Sequence, residues 1–126
     1  MSNVELKLKE LGLELPQPMK AVGTYYPYRR RGKLLYISGQ GPAWNGKLHY
    51  LGKIGKELTK EEGYEAAQMT GLNILAQIKA ATGDLDSVSK FLSVIGFVNC
   101  VDDFVEHPYV IDGFSNLMTS VYGEAG

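Results

Sequence analysis

The chain has 126 residues, 44% of them hydrophobic and 21% charged, with 13 basic against 14 acidic side chains and a net charge of -1. This length fits one domain, residues 1–126, with a core that needs no disulfide, and a lone Cys100 could form none within the chain. The charge lacks the basic excess that gives nucleic-acid binders most of their affinity. No apolar run approaches the roughly 20 residues of a membrane helix, and the first residues are neither a signal nor a transit peptide, so a cytoplasmic protein with neither nucleic-acid nor membrane partners is expected.

Residues 4–13 carry apolar side chains at Val4, Leu6, Leu8, Leu11 and Leu13 and read as a short helix, ended by Pro16 and Pro18. Residues 21–28 are rich in tyrosine and read as a strand, with Pro27 placing it at an edge or a bulge. Arg31-Gly32 reads as a turn, with Arg29, Arg30, Arg31 and Lys33 as a solvated basic cluster around it; residues 33–39 complete a hairpin. Gly39-Gln40-Gly41-Pro42 breaks that strand, and Asn45-Gly46 predicts another tight turn.

Residues 59–81 predict a long helix. Thr59 and Glu62 form a capping box, in which each side chain satisfies a free backbone donor at the helix start. Ala67, Gly71, Ile74, Leu75, Ile78 and Ala81 recur at helical spacing, Gly83 supplies the stop, and the small Ala67 and Gly71 suggest close approach to a sheet. Residues 88–99 read as a strand apolar on both faces, and residues 107–122 as a second helix, with Ile111, Phe114, Leu117, Met118 and Val121 on one side and Gly123 as its cap. Asp102 or Asp103 is the expected N-terminal cap.

The order predicts an α+β fold with helices on one face of a sheet. Two helices cover one face only, yet the strands at 34–38 and 88–98 are apolar on both. A second copy of the chain is the simplest cover for the other face.

If Arg31-Gly32 are the turn residues, Arg30 pairs with Lys33, and Tyr25 and Ser38 become cross-strand neighbours beside Gly39 and Gln40. An ordinary tyrosine–serine sheet pair is the alternative. Gly39-Gln40-Gly41 is no phosphate cradle: the third glycine is missing and Pro42 removes a donor. His49 and His107 lack metal-ligand spacing, so no metal and no cofactor are expected. No Ser-His-Asp set can be assigned, catalytic residues stay unassigned, and Cys100 reads as an inert buried thiol.

Gly23-Thr24-Tyr25, residues 35–42 (Leu-Tyr-Ile-Ser-Gly-Gln-Gly-Pro), Gly83-Asp84-Leu85, Phe97-Val98-Asn99 and Asp103-Phe104, in that order around the long helix, resemble the RidA/YjgF family of enamine/imine deaminases, also grouped as L-PSP endoribonuclease-like. The likeness covers residues 20–126 and leaves 1–19 as an N-terminal extension. The insert around residues 44–52 and the His107-Pro108-Tyr109 segment resemble a divergent branch.

The resemblance implies a chorismate-mutase-like fold, a mixed β-sheet with two long helices packed on one face, and a homotrimer with clefts between subunits. It implies hydrolysis of small reactive 2-imino or enamino acids to 2-keto acids and ammonia, with Tyr25, Ser38, Gly39 and Gln40 binding the substrate. Two other functions remain open: a non-catalytic trimer that binds small molecules, and RNA cleavage, which the net charge disfavours.

The family's carboxylate-binding arginine, in a loop after the second helix, and a glutamate on the last strand have no match here. The chain reads as stopping within a loop before that strand. The family's asparagine early in the second helix aligns with Pro108. Arg29, Arg30 and Arg31 are the only arginines, and the expected register puts them about 20 Å from Ser38 at ~3.3 Å per residue, too far to replace the missing one within a subunit.

Overall fold

The computed structural model describes residues 2–21 and 23–126. Helix α1 spans Asn3–Glu10, where Ser2 accepts a hydrogen bond from the Glu5 amide as N-cap. The Asp86 carboxylate accepts from the Asn3 and Val4 amides at 2.8 and 3.0 Å, and Lys79 pairs with Glu5 at 3.1 Å. Val4 and Leu8 are buried in the common core, so this N-terminal segment is packed onto the fold.

Helix α2 spans Lys60–Thr82. Its capping box forms as expected: the Glu62 amide donates to Thr59 Oγ1 at 3.1 Å, and the Thr59 amide donates to Glu62 Oε1 at 3.0 Å. Gly83 ends it at φ 78°, a left-handed conformation that favours glycine. Helix α3 spans His107–Tyr122, with Gly123 at its end. Its N-cap is Glu106, without a side-chain cap bond, so neither Asp102 nor Asp103 caps it. Pro108 occupies the first turn, where a missing N–H costs nothing.

The two long helices cross at their smallest residues. A Cβ placed on Gly113 would overlap the Tyr64 carbonyl oxygen and lie 3.1 Å from the Ala67 Cβ; one placed on Gly71 would lie 2.8 Å from Leu117. Ala67 and Gly71 therefore admit α3, where close approach to a sheet was expected. Leu72, Leu75, Ile78, Phe114, Leu117 and Val121 fill the core around this crossing.

The sheet layer is smaller than the sequence suggests. Strands β1 (Tyr28–Arg31) and β2 (Leu34–Ile37) form one antiparallel hairpin. Strands β3 (Ala43–Trp44) and β4 (Lys47–Leu48) form another, turned by Asn45 and Gly46 at φ 50° and 87°, as Asn-Gly predicts. Residues 23–27 are bends and irregular chain rather than strand, and Val22 lies outside the described residues.

Residues 88–99 join no ladder. The single bridge nearby is Ile54 with Cys100. A strand needs a partner edge, and among the described residues none pairs with this segment. Phe91 anchors its start edge-on to Phe114 and Tyr122, at ring separations of 6.3 and 5.5 Å. Beyond that anchor, Leu92, Val94, Ile95 and Phe97 are exposed. With its helices and small antiparallel sheets, the chain is α+β.

Candidate functional site

The first hairpin turns one residue later than the sequence suggests. Arg31 enters the ladder opposite Leu34, and Gly32 takes φ 57° in a Gly32-Lys33 loop. Glycine at the first of two loop positions is what a type II′ hairpin requires. Moving the turn by one residue moves every cross-strand partner by two, so Arg30 faces Leu35 and not Lys33. Tyr25 and Ser38 are consequently not a cross-strand pair. Ser38 lies beside Pro27, whose carbonyl accepts its amide at 3.0 Å, and the Ser38 hydroxyl donates to the Tyr26 carbonyl at 2.6 Å.

The corrected register also relocates the arginines. Arg29 lies opposite Tyr36, two positions from Ser38 and roughly 7 Å along the strand at ~3.3 Å per residue. Its guanidinium stacks 3.8 Å from the centre of the Tyr26 ring, and it makes no ion pair among the described residues. The expected distance of about 20 Å does not hold for Arg29.

Residues 37–42 form one wall of a cavity of about 570 Å³. Residues 95–99 also line it, as do Ala67, Thr70 and Ile74 of α2 and Ile111 and Phe114 of α3. Ser38, Gly39 and Gln40 are therefore brought together on one cavity wall, while Tyr25 is half exposed and outside it, its ring folded over Gly23. Gln40 donates through Nε2 to the Ser38 carbonyl at 3.2 Å, and its Oε1 is buried without a partner. An unmet buried acceptor costs about 1–3 kcal/mol, so it favours any donor that enters.

Two buried amides on α2, neither of them among the residues expected to matter, tie remote chain to the helix, and the first of them organises this wall. Asn73 is fully buried; its Nδ2 donates to the carbonyls of Ala43 at 2.6 Å and Met69 at 2.9 Å, with Gly41 at 3.3 Å. It ties the Gly41–Ala43 bend to the helix. Gln77, one turn on, donates to the Met19 carbonyl at 2.8 Å. The signal is present in the sequence: two amides four residues apart interrupt an apolar helix face, where a buried polar group needs a partner.

Tyr50 also lines the cavity, at φ 55°, a strained conformation for a bulky residue. Its hydroxyl donates to Glu65 at 3.1 Å; burial, then this bond and the Glu65 charge, push its pKa above the usual phenol value. Cys100 is only partly buried, with Sγ 3.4 Å from His107 Nε2, so it is not the enclosed thiol the sequence suggests. Among the described residues, no three His, Cys, Asp or Glu side chains gather as metal ligands would.

The family described as YjgF/chorismate_mutase-like, putative endoribonuclease matches residues 5–126. The chain belongs to this family. This YjgF-family chain is 40% identical to a putative endoribonuclease from Shewanella oneidensis, whose crystal structure it matches with a TM-score of 0.93 over 97% of its own length and 81% of the other. A second crystal structure, of an Agrobacterium tumefaciens protein with unknown function, matches with a TM-score of 0.88 at 41% identity, over 97% and 76% of the two chains. Protein TCP17 of Trypanosoma cruzi is 37% identical over 121 residues, 96% of this chain and 76% of that one. The family carries the chorismate-mutase-like fold expected from the motifs around Ser38 and Gly83. No helix among the described residues is long and apolar enough to cross a membrane.

Proposed function

We propose that this chain binds small reactive imino or enamino acids at the corner formed by Ser38, Gly39 and Gln40, and hydrolyses them to 2-keto acids and ammonia. The observation that carries the reading is the unpartnered Gln40 Oε1, buried on a cavity wall. It can accept a hydrogen bond from an imine N–H or from the attacking water. Water adds to the C=N carbon, its proton passes to nitrogen, and the carbinolamine collapses with loss of ammonia. The imine is already electrophilic, so holding it beside a water supplies most of the acceleration.

The substrate carboxylate needs a cation, and Arg29 is the arginine nearest Ser38 along the hairpin. A homotrimer fits the exposed apolar side chains of β2 and residues 92–97, and would set this corner in a cleft between subunits. A free, partly buried Cys100 suits a reducing cytoplasm. Tyr25, outside the cavity of one chain, belongs to the site if a neighbouring subunit brings a wall against it.

Pyruvate, a product of this reaction class, is the binding probe, and loss of 2-iminopropanoate in a coupled assay is the activity readout. Gln40→Leu should slow the loss of 2-iminopropanoate about tenfold, equivalent to ~1.4 kcal/mol, and leave pyruvate binding nearly unchanged, because pyruvate has no N–H to donate. Arg29→Ala should weaken pyruvate binding about tenfold, whereas Arg31→Ala should leave it unchanged. If pyruvate fails to bind and 2-iminopropanoate disappears no faster than in buffer, the reading is wrong. RNA cleavage that is lost in Gln40→Leu would favour the endoribonuclease alternative instead.

A further inference from the structure

We infer that a second cavity, lined by Trp44, Tyr50, Glu14 and Glu65, binds a trimethylammonium group. Its volume is about 470 Å³, within the roughly 300–1,000 Å³ usual for small ligands. Three stretches remote in sequence build it. Helix α2 contributes Glu65, Gln68, Met69 and Leu72, whose spacing puts them on one helical face. The chain just after α1 contributes residues 12–14, and the second hairpin with the loop after it contributes Trp44 and Tyr50. Hydrogen bonds hold these stretches in place. The Leu13 amide donates to the Leu8 carbonyl at 2.9 Å, and the Gln17 amide donates to Asn45 Oδ1 at 3.0 Å, beside Trp44. Tyr50 sits at φ 55°, a conformation that a bulky residue keeps only where its surroundings over-determine it.

The lining selects the ligand by charge and by softness. Glu14 and Glu65 bring two carboxylates, and no lysine, arginine or histidine lines the cavity. Neither carboxylate has a cation partner among the described residues. The Tyr50 hydroxyl donates to Glu65 Oε2 at 3.1 Å, which fixes this carboxylate while its Oε1 has no partner among the described residues. The cavity therefore favours a cation. A hard divalent ion is a poor occupant, because it takes about six or more oxygen ligands. Among the described residues, no three His, Cys, Asp or Glu side chains gather to supply them. A primary ammonium carries three N–H donors, and the side chains of Trp44, Met69 and Leu72 offer no strong acceptor. A trimethylammonium group has no donor to satisfy. Its methyl groups pack on apolar surface, and its diffuse charge is drawn to the faces of tryptophan, the best ring for this, and of tyrosine. Trp44 and Tyr50 are both only half-buried, so their rings are open to a ligand. Tyr50 alone lines both cavities, and the inference does not rest on the imino-acid reading.

Trp44 is the one tryptophan of the chain, so its emission reports on this cavity directly. Choline is the probe, titrated into the full chain by calorimetry with Trp44 fluorescence read in parallel. It should bind with a Kd of about 1 mM or tighter and change the emission. Its neutral carbon isostere, with a tert-butyl group in place of the trimethylammonium, should bind at least about tenfold more weakly, and so should ethanolamine. Glu14→Gln combined with Glu65→Gln should weaken choline about tenfold or more, and both side chains are exposed, so the fold should survive the change. Trp44→Leu should remove binding, whereas Trp44→Phe should retain part of it. Gln40→Leu, in the other cavity, should leave choline binding unchanged. Tighter binding of choline than of acetyl-trimethyllysine methylamide would assign the group to a free metabolite, and the reverse order to a modified protein side chain; both support the site. No choline binding would overturn the inference. Equal binding of the neutral isostere would overturn it as apolar adsorption, and equal binding of ethanolamine would overturn it as a hydrogen-bonded ammonium site. Unchanged affinity in the double glutamate variant, or loss of choline binding in Gln40→Leu, would overturn it as well, because the cation would then lie elsewhere.

Discussion

Leu75 of α2 and Phe97 of the extended segment are both large apolar side chains, yet Leu75 has no exposed surface and Phe97 is 93% exposed. Around Leu75 every requirement of a folded element is met locally: a capping box, a left-handed glycine stop and a facing helix notched by Gly113. Burying such a leucine contributes about 1.5–3 kcal/mol. Around Phe97 the backbone joins no ladder among the described residues, and the side chain is almost wholly exposed. A helix completes its hydrogen bonds within itself, whereas a strand depends on a neighbour that sequence proximity does not supply. The helical layer therefore stands on this chain's own residues, whereas the strand layer leaves large apolar side chains exposed.

The most severe way to break that comparison is to strike the helical layer at its closest contact. Gly113→Ala puts a Cβ against the Tyr64 carbonyl, which is backbone in a long helix and cannot swing aside. Alanine gains up to about 1 kcal/mol over glycine in helix propensity, but overpacking costs about 1–3 kcal/mol or more. Because the overlap is with backbone, the net should be a loss of about 2 kcal/mol, read as a lower midpoint in a denaturant melt. A higher midpoint would mean that α3 lies farther from α2 than the crossing implies.

Thr59→Ala sharpens the same side of the comparison with a smaller effect. It removes the acceptor for the Glu62 amide while the Glu62 side chain keeps its bond to the Thr59 amide. The expected cost is about 0.5–2 kcal/mol. Thr59→Ser should retain most of the stability, since its hydroxyl can take the same bond. If the serine variant falls as far as the alanine variant, the methyl packing of Thr59 matters more than the cap.

Legibility follows the same division. The capping residues of α2, its glycine stop and the bounds of α3 can be read from the sequence because each depends on residues within a few positions. The Asn45-Gly46 hairpin is legible for the same reason. The Arg31-Gly32 turn is not, because two adjacent placements of a two-residue loop fit the same letters. The observed ladder, with Arg31 opposite Leu34, decides between them, and with it the partners of Tyr25, Ser38 and Arg29. Residues 88–99 carry strand-like letters whose pairing lies outside the segment. Of the candidate site, Ser38, Gly39 and Gln40 reach the cavity through a motif in one stretch of chain. The tie from Asn73 to Ala43 spans 30 residues and needs the fold to be seen, although two amides on an apolar helix face were there to prompt the question.

The smallest expected effect tests the open side. Phe97→Ser changes a side chain that is almost wholly exposed, so the stability of the isolated chain should move by no more than about 0.5 kcal/mol. A polar residue also alters the unfolded ensemble, so a shift of a few tenths in either direction carries no message. What should change is association. If another copy covers residues 92–97, removing the phenyl ring takes a large apolar group from that interface, and sedimentation at matched concentrations should show a smaller average mass. The two readouts separate two accounts of the same residue. A fall of more than about 1 kcal/mol at a concentration where the chain is monomeric would show Phe97 packed within its own chain. Unchanged stability together with unchanged mass would leave the ring idle in the free protein and shift attention to Ile95, the next most exposed apolar residue of this stretch at 78%.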